Sequence, residues 1–220
     1  SMSMISSAAD SFGDLIVSIA NLFVVRYGDR PADEDHNYGH AKIESVAALV
    51  ETGLLFLTTG WIVDEAIRRL FFHDPAEIEV TWWAVAIIAG SILIDFNRAR
   101  ALKRVAEKTS SEALEADALH FSSDMWSSIV VLAGLGAVWL GIPAADSIAA
   151  LLVSGFVAYA GWELGSRTMN TLLDAAPAGA TAIVREEVNA VHGVLVIKSI
   201  RLRPAGATMF TSFFVEVARW

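Results

Sequence analysis

The most restrictive feature of the sequence is a series of five apolar segments, each long enough to cross a bilayer as a helix. They cover residues 4–27, 43–72, 80–97, 111–140 and 144–173. A membrane helix needs about 20 mainly apolar residues. The whole chain is 55% hydrophobic with a mean hydropathy of +0.50. Such a composition is typical of a polytopic membrane protein rather than a soluble domain.

The character of the sequence changes after residue 175. A short amphipathic helical pattern is followed by two alternating strand patterns, which flank the stretch P-A-G-A. The sequence therefore predicts an α-helical transmembrane bundle over residues 1–175 and the beginning of a cytoplasmic α/β domain over 176–220. The second strand pattern runs almost to Trp220 and has no further strand to pair with, so we expect this domain to be incomplete here.

Basic residues indicate the orientation. Lys and Arg follow the first and third segments, whereas none lie in 72–80 or 141–147. By the positive-inside rule, the connections after the first and third segments and the C-terminal region are predicted to be cytoplasmic.

Composition and motifs exclude several classes of function. The chain has no cysteine, so a metal would have to be held by histidine and carboxylate. A net charge of -9 argues against nucleic acid as a partner. The sequence has no H-E-x-x-H, G-x-S-x-G or P-loop motif, and we expect no enzymatic activity.

Two pairs of ionisable residues interrupt the apolar segments. Asp10 and Asp14 in the first, and His120 and Asp124 in the fourth, are each four positions apart and share one helix face. Ionisable groups at membrane depth are costly and usually serve an ion, a proton or a substrate. One pair alone could be a polar contact between helices. Two pairs together offer three carboxylates and one imidazole, which favours a divalent metal site.

A second candidate site lies in the loop after the first segment. The stretch D-E-D-H-N-Y-G-H offers Asp33, His36 and His40 at a spacing that one turn can bring together, and Gly39 permits the bend. The alternative is a solvated acidic loop. Histidines in such loops can bind zinc, so we predict a metal site here.

Four motifs together resemble a known family. They are D-S-x-x-D at 10–14, D-x-x-H-x-x-G-H-x-K-x-E-S at 33–45, L-H-x-x-S-D at 119–124 and L-L-D at 172–174. In this combination the chain is similar to the cation diffusion facilitators, and in particular to their bacterial zinc and ferrous-iron efflux branch.

The resemblance implies roles for the residues of these motifs. Asp10, Asp14, His120 and Asp124 would form the transport site and also carry the coupled protons. Asp33, His36 and His40 would form the loop site. Lys42 and Asp174 match positions that form a charge interlock at the family's dimer interface.

The resemblance also sets expectations for the fold. The family has six spans and a dimerising cytoplasmic α/β domain of ferredoxin-like fold, so this chain would contain spans two to six. Where relatives place metal-binding histidines on the strands of that domain, this sequence has Lys198 and Phe214. We therefore do not expect a metal pair there.

These inferences predict a homodimeric antiporter of the bacterial inner membrane, embedded in the lipid bilayer. It would export Zn²⁺ by alternating access in exchange for protons and would need no organic cofactor. The donor set would also accept Fe²⁺, Co²⁺, Cd²⁺ or Mn²⁺. The alternative is a membrane scaffold or sensor that binds metal without moving it.

Overall fold

The computed structural model describes residues 2–72, 82–139 and 144–218. Five long helices are followed by a short helix and a β-hairpin. Their bounds are α1 Met2–Gly28, α2 Lys42–Phe72, α3 Trp82–Thr109, α4 Glu112–Trp139, α5 Ala144–Leu172, α6 Ala180–Asn189, β1 Val194–Ala205 and β2 Thr208–Val217.

The long helices lie where the apolar segments predict them, with one clear difference in α3. The predicted apolar segment ends at residue 97, but α3 continues through the basic stretch N-R-A-R-A-L-K-R to Thr109. Alanine, leucine, arginine and lysine are strong helix formers, so the helix does not end where the apolar character ends. It ends just before Ser110, whose φ of 55° is left-handed and therefore incompatible with a further helical turn.

Two of the described helical stretches, Lys42–Phe71 and Ser147–Leu172, are long and apolar enough to cross a membrane; Leu15–Gly28 is a shorter apolar stretch. Large apolar side chains on these two helices are exposed, among them Leu57, Trp61 and Leu152 at 71%, 71% and 72%. Exposed apolar surface of this kind fits contact with lipid. The described helices do not test the count of five spans. Residues 80, 81 and 140 of the predicted segments lie outside the described residues.

The chain packs as two compact units. Of the described residues, one unit comprises 48–72, 82–108, 113–139 and 144–166. In its core, Ala48 of α2, Ala116 of α4 and Leu164 of α5 form a buried cluster, against which Leu119 packs. Small core residues let helix backbones approach closely.

Two glycines of α5 allow its close approach to α2. A Cβ added at Gly161 would lie 3.4 Å from Cζ of Phe56, and one at Gly165 would lie 3.3 Å from Cγ2 of Thr52. The spacing of four is the small-xxx-small pattern that membrane helices use for packing.

The other unit comprises residues 2–47, 109–112 and 167–218 of the described chain. It contains α1, the loop from 29 to 41, the short α6 and the antiparallel hairpin, and α6 packs on β1. The predicted boundary at residue 175 between a bundle and a terminal domain stays a prediction.

The hairpin turn is tighter than the sequence predicted. P-A-G-A was expected to form the turn, but β1 runs on to Ala205, which pairs with Thr208 and leaves a two-residue loop. Gly206 supports this turn with a φ of 58°, the left-handed conformation that two-residue hairpin loops require. Pro204 has no N–H to donate to the ladder, but it fits inside this strand because each strand of the sheet, two-stranded in the described part of the chain, has an open edge.

Candidate metal-binding sites

Asp33, His36 and His40 converge in the loop between α1 and α2, as the sequence predicted. Nδ1 of His36 lies 3.2 Å from Oδ1 of Asp33, and Nε2 of His40 lies 3.4 Å from Oδ2 of the same carboxylate. The two imidazole rings are 4.3 Å apart between centroids. One potential ligand atom from each residue lies within 4.8 Å of the others.

Local backbone chemistry explains why the loop folds in this way. The backbone N–H groups of Asp35 and His36 donate to Oδ1 of Asp33 at 3.1 and 2.6 Å, which makes an Asx turn. Gly39 then donates its N–H to the carbonyl oxygen of His36 at 2.9 Å. Its φ of 78° is costly for other residues, so a glycine here brings His40 back towards Asp33.

The electrostatics of Asp33 suit a metal ligand. Chiefly because the backbone N–H of His36 donates to its carboxylate, and also because both histidines lie near, the pKa of Asp33 is held below its usual range. Asp33 is therefore ionised at neutral pH and presents a negative charge to the two imidazoles.

His40 is the buried member of the cluster. It is 8% exposed, whereas the side chains of Asp33 and His36 are half-exposed. Within the described part of the chain, Nδ1 of His40 is buried and has no hydrogen-bond partner. The Tyr27 ring and this imidazole pack in a T-shaped arrangement, 4.9 Å apart between centroids. His40 is thus oriented by packing on one side, while Nε2 on the other side faces Asp33.

These three residues fit a divalent transition metal. Two imidazole nitrogens and one carboxylate oxygen are the donors that zinc uses, and three protein ligands leave a further position of a tetrahedral ion for water or another group. Without an ion, the same contacts can be made by histidine–carboxylate hydrogen bonds. The geometry is compatible with both, and metal binding at this site stays a prediction.

Next to the cluster, Lys42 forms an ion pair with Asp174, and both residues belong to this chain. Nζ of Lys42 donates to the Asp174 carboxylate and also to the carbonyl oxygen of Leu172, the latter at 3.2 Å. Nε of Arg203 donates to the same Oδ1 of Asp174 at 2.9 Å. These donors, Lys42 first, lower the pKa of Asp174. The role of Lys42 and Asp174 at a dimer interface stays a prediction.

The predicted pair on α4 is also in contact. Nε2 of His120 lies 3.5 Å from Oδ2 of Asp124, as their spacing of four predicts. Asp10 and Asp14 lie on α1, but their side chains fall outside the described residues. The four-residue transport site therefore stays a prediction.

Some residues near these sites were not predicted from the sequence. Asp117 is only 4% exposed and lies three positions before His120, on the same helix face as His120 and Asp124. A carboxylate at that spacing in an apolar segment was a signal that could have been used. Tyr38 and Arg203 are in contact across the loop and the hairpin, and no local sequence pattern connects them.

A comparison with known families decides what kind of protein this is. The profile of the cation efflux transmembrane domain matches residues 1–173, most of the 220-residue chain. The chain belongs to the cation efflux family. This confirms the resemblance to the cation diffusion facilitators, and family members are membrane-integral transporters rather than enzymes. A mostly helical chain that ends in a small antiparallel sheet fits this family.

Curated relatives in the cation efflux family cover nearly the whole chain. It is 33% identical over 226 aligned positions to the cation-efflux pump FieF of Pectobacterium carotovorum subsp. carotovorum (strain PC1), covering 99% of this chain and 72% of that protein. The cation-efflux pumps FieF of Yersinia pestis (strain Pestoides F) and Yersinia pseudotuberculosis serotype O:3 (strain YPIII) are 33% identical over 221 positions, with the same coverage.

Proposed function

We propose that this chain exports a divalent transition-metal cation from the cytoplasm in exchange for protons, with Zn²⁺ as the preferred ion. It would act by alternating access as a homodimer in the bacterial inner membrane, with its C-terminal region cytoplasmic. Membership of the cation efflux family supports the transport of a cation. The cation-efflux pumps to which the chain is similar are bacterial, which supports the inner membrane.

The observation that carries the proposal is the convergence of Asp33, His36 and His40 in a cation efflux protein. Imidazole nitrogen favours zinc and its neighbours over Mg²⁺ and Ca²⁺, which prefer oxygen ligands. The same donors accept Fe²⁺, Co²⁺, Cd²⁺ and Mn²⁺, and the affinity order alone does not choose among them.

The transport step would use Asp10, Asp14, His120 and Asp124. Carboxylate and imidazole ligands must be deprotonated to bind metal, so protons and the metal ion compete for the same atoms. Protons from outside would displace the ion after the helices reorient, and the freed ligands would release these protons to the cytoplasm. The contact between His120 and Asp124 supports their sharing one face of α4.

A second candidate is a metal-binding scaffold or sensor. It is favoured by one observation, namely that Asp33 and His36 are half-exposed in a loop outside the described spans, where an ion could bind without crossing the membrane. A sensor would bind zinc with the same stoichiometry but would move none into a vesicle.

Zinc titration of the purified protein by calorimetry tests both sites. We expect His36→Ala to lower the affinity of one zinc site by at least about 10- to 100-fold, the loss that even an outer-shell change can cause. Asp124→Ala should remove a different zinc site. His192→Ala, which removes an exposed histidine outside both clusters, is the matched control and should retain both. Unchanged binding in both His36→Ala and Asp124→Ala would contradict the assignment.

A further inference from the structure

Tyr38 connects the candidate loop site to the C-terminal hairpin. It lies two positions after His36 and two before His40. The guanidinium carbon of Arg203 lies 4.2 Å from the centroid of the Tyr38 ring. The same ring packs in a T-shaped arrangement with Phe210, at 5.2 Å between centroids and an interplanar angle of 85°. Arg203 and Phe210 are opposite each other in the hairpin register, so two cross-strand neighbours both contact the Tyr38 ring.

The same arginine also restrains the other side of the loop site. Arg203 donates to Asp174, and Asp174 accepts from Lys42, two positions after His40. His40 is therefore flanked along the chain by two residues, Tyr38 and Lys42, each connected to Arg203 directly or through Asp174.

The hairpin turn approaches the loop closely at a third point. A Cβ added at Gly206 would lie 3.0 Å from Cβ of Ala41, which is closer than ordinary van der Waals contact. The hairpin turn and the loop therefore pack directly against each other, in addition to the contacts that Arg203 makes with Tyr38 and Asp174.

These contacts bear on metal affinity because the ligands are on a loop. Fixing a residue's backbone costs conformational entropy, and a site already held in its bound geometry does not incur that cost when the ion binds. Hydrogen bonds within the loop hold Asp33 and His36, and the carbonyl oxygens of His40 and Ala41 accept from the first turn of α2. The side chains of Tyr38 and Lys42, on either side of His40, make their contacts with the hairpin and with Asp174.

We propose that Arg203 is a positioning residue for the loop metal site. By stacking on Tyr38 and pairing with Asp174, it holds His36 and His40 in the arrangement that receives the ion. The inference rests on the proposed function, since it requires that Asp33, His36 and His40 bind metal. Because linkage is reciprocal, zinc in the loop also stabilises the docked hairpin.

The test measures zinc affinity and amide hydrogen exchange on the same purified protein. Arg203→Gln should lower the zinc affinity of the loop site by about 5-fold or more, within the usual range of coupling between sites. The loop site is identified as the one that His36→Ala removes. Zinc should slow exchange in β1 and β2 of the native protein, and this protection should be lost in both variants. Arg201→Gln, which removes the same charge from an exposed position on the same strand, should behave as native.

Conservative variants separate positioning from loss of folding. Tyr38→Phe retains the ring under the guanidinium and should retain native affinity, whereas Tyr38→Ala should weaken zinc to a degree similar to Arg203→Gln. The double variant Tyr38→Ala with Arg203→Gln should lose less than the sum of the two losses, because both remove one contact.

The possible outcomes distinguish this inference from the proposed function. If His36→Ala loses the zinc site while Arg203→Gln binds zinc as tightly as native, the positioning role is wrong and the loop site stands. If His36→Ala leaves zinc binding unchanged, the loop site and the positioning role are both wrong. Equal weakening in Arg203→Gln and Arg201→Gln would attribute the effect to net charge and would also overturn the positioning role.

Discussion

The Asp33 carboxylate makes two kinds of contact in the loop. Its Oδ1 accepts the backbone N–H groups that form the turn, and both of its oxygens face an imidazole nitrogen. The turn needs only a hydrogen-bond acceptor, whereas the proposed metal binding needs the negative charge. A substitution that retains the acceptor and removes the charge can therefore separate folding of the loop from binding of the ion.

We expect Asp33→Asn to weaken zinc binding by about 10-fold or more and to leave the loop folded, because the amide oxygen still accepts from the backbone. Asp33→Ala should weaken zinc and also loosen the loop. Calorimetry gives the affinity and amide exchange of residues 34–40 gives the folding. Native zinc affinity in Asp33→Asn would show that the carboxylate is not a ligand.

Asp174 makes a pH-dependent contribution to stability. Its pKa is lowered, mainly by the hydrogen bond from Lys42 and then by that from Arg203. A lowered pKa means that the stabilisation is fully present above the usual value of 3.8 and is lost as the pH falls through the lower value of the folded protein. The carboxylate is 43% exposed, so solvent screens the effect and the contribution is modest.

We therefore expect Asp174→Asn to melt at a lower temperature than the native protein at about pH 7, with the difference vanishing at a pH well below the usual carboxylate range. Thermal melts in detergent across this pH range measure it. Glu216→Gln, which removes an exposed carboxylate paired with Lys198 at 2.5 Å, is the control. A difference between Asp174→Asn and native that grows as the pH falls would contradict the account.

At the scale of elements, helix positions were predictable and helix contacts were not. Apolar length places α1 to α5, because a span needs a run of apolar residues that can be counted. The extent of α3 could not be read in this way, since its last turns are basic and depend on helix propensity. The packing of α5 on α2 depends on which face of each helix carries small residues, and Gly161 reveals it only once both helices are placed.

The α2–α5 contact gives a direct prediction with a matched control. Gly161→Leu would force a side chain into Phe56 and Leu55 and should destabilise the protein by about 1–3 kcal/mol, the usual cost of overpacking. Gly155→Leu introduces the same residue on the same helix where a Cβ meets nothing within 4 Å, and should have little effect. Thermal unfolding in detergent compares the two. Equal stability of the two variants would show that the contact is not close-packed.

At the scale of the whole molecule, predictability depends on how far apart the interacting residues lie in sequence. Asp33, His36 and His40 are close in the chain, so spacing and one glycine were enough to predict their convergence. Lys42 and Asp174 are 132 positions apart, and only the resemblance to a family joined them. No sequence rule joined Tyr38 to Arg203, because their contact follows from the docking of the hairpin turn on the loop.

The central claim is that the chain moves a divalent metal against protons through the site that contains His120 and Asp124. Zinc flux into proteoliposomes with an imposed proton gradient tests it most directly, using the native protein, Asp124→Ala, and Asp64→Ala as a control that removes an exposed carboxylate from α2.

We expect zinc movement that depends on the gradient in the native protein and in Asp64→Ala, and none in Asp124→Ala. Zinc binding by the native protein without any flux would contradict transport and favour the scaffold or sensor. Native flux in Asp124→Ala would contradict the assignment of the site.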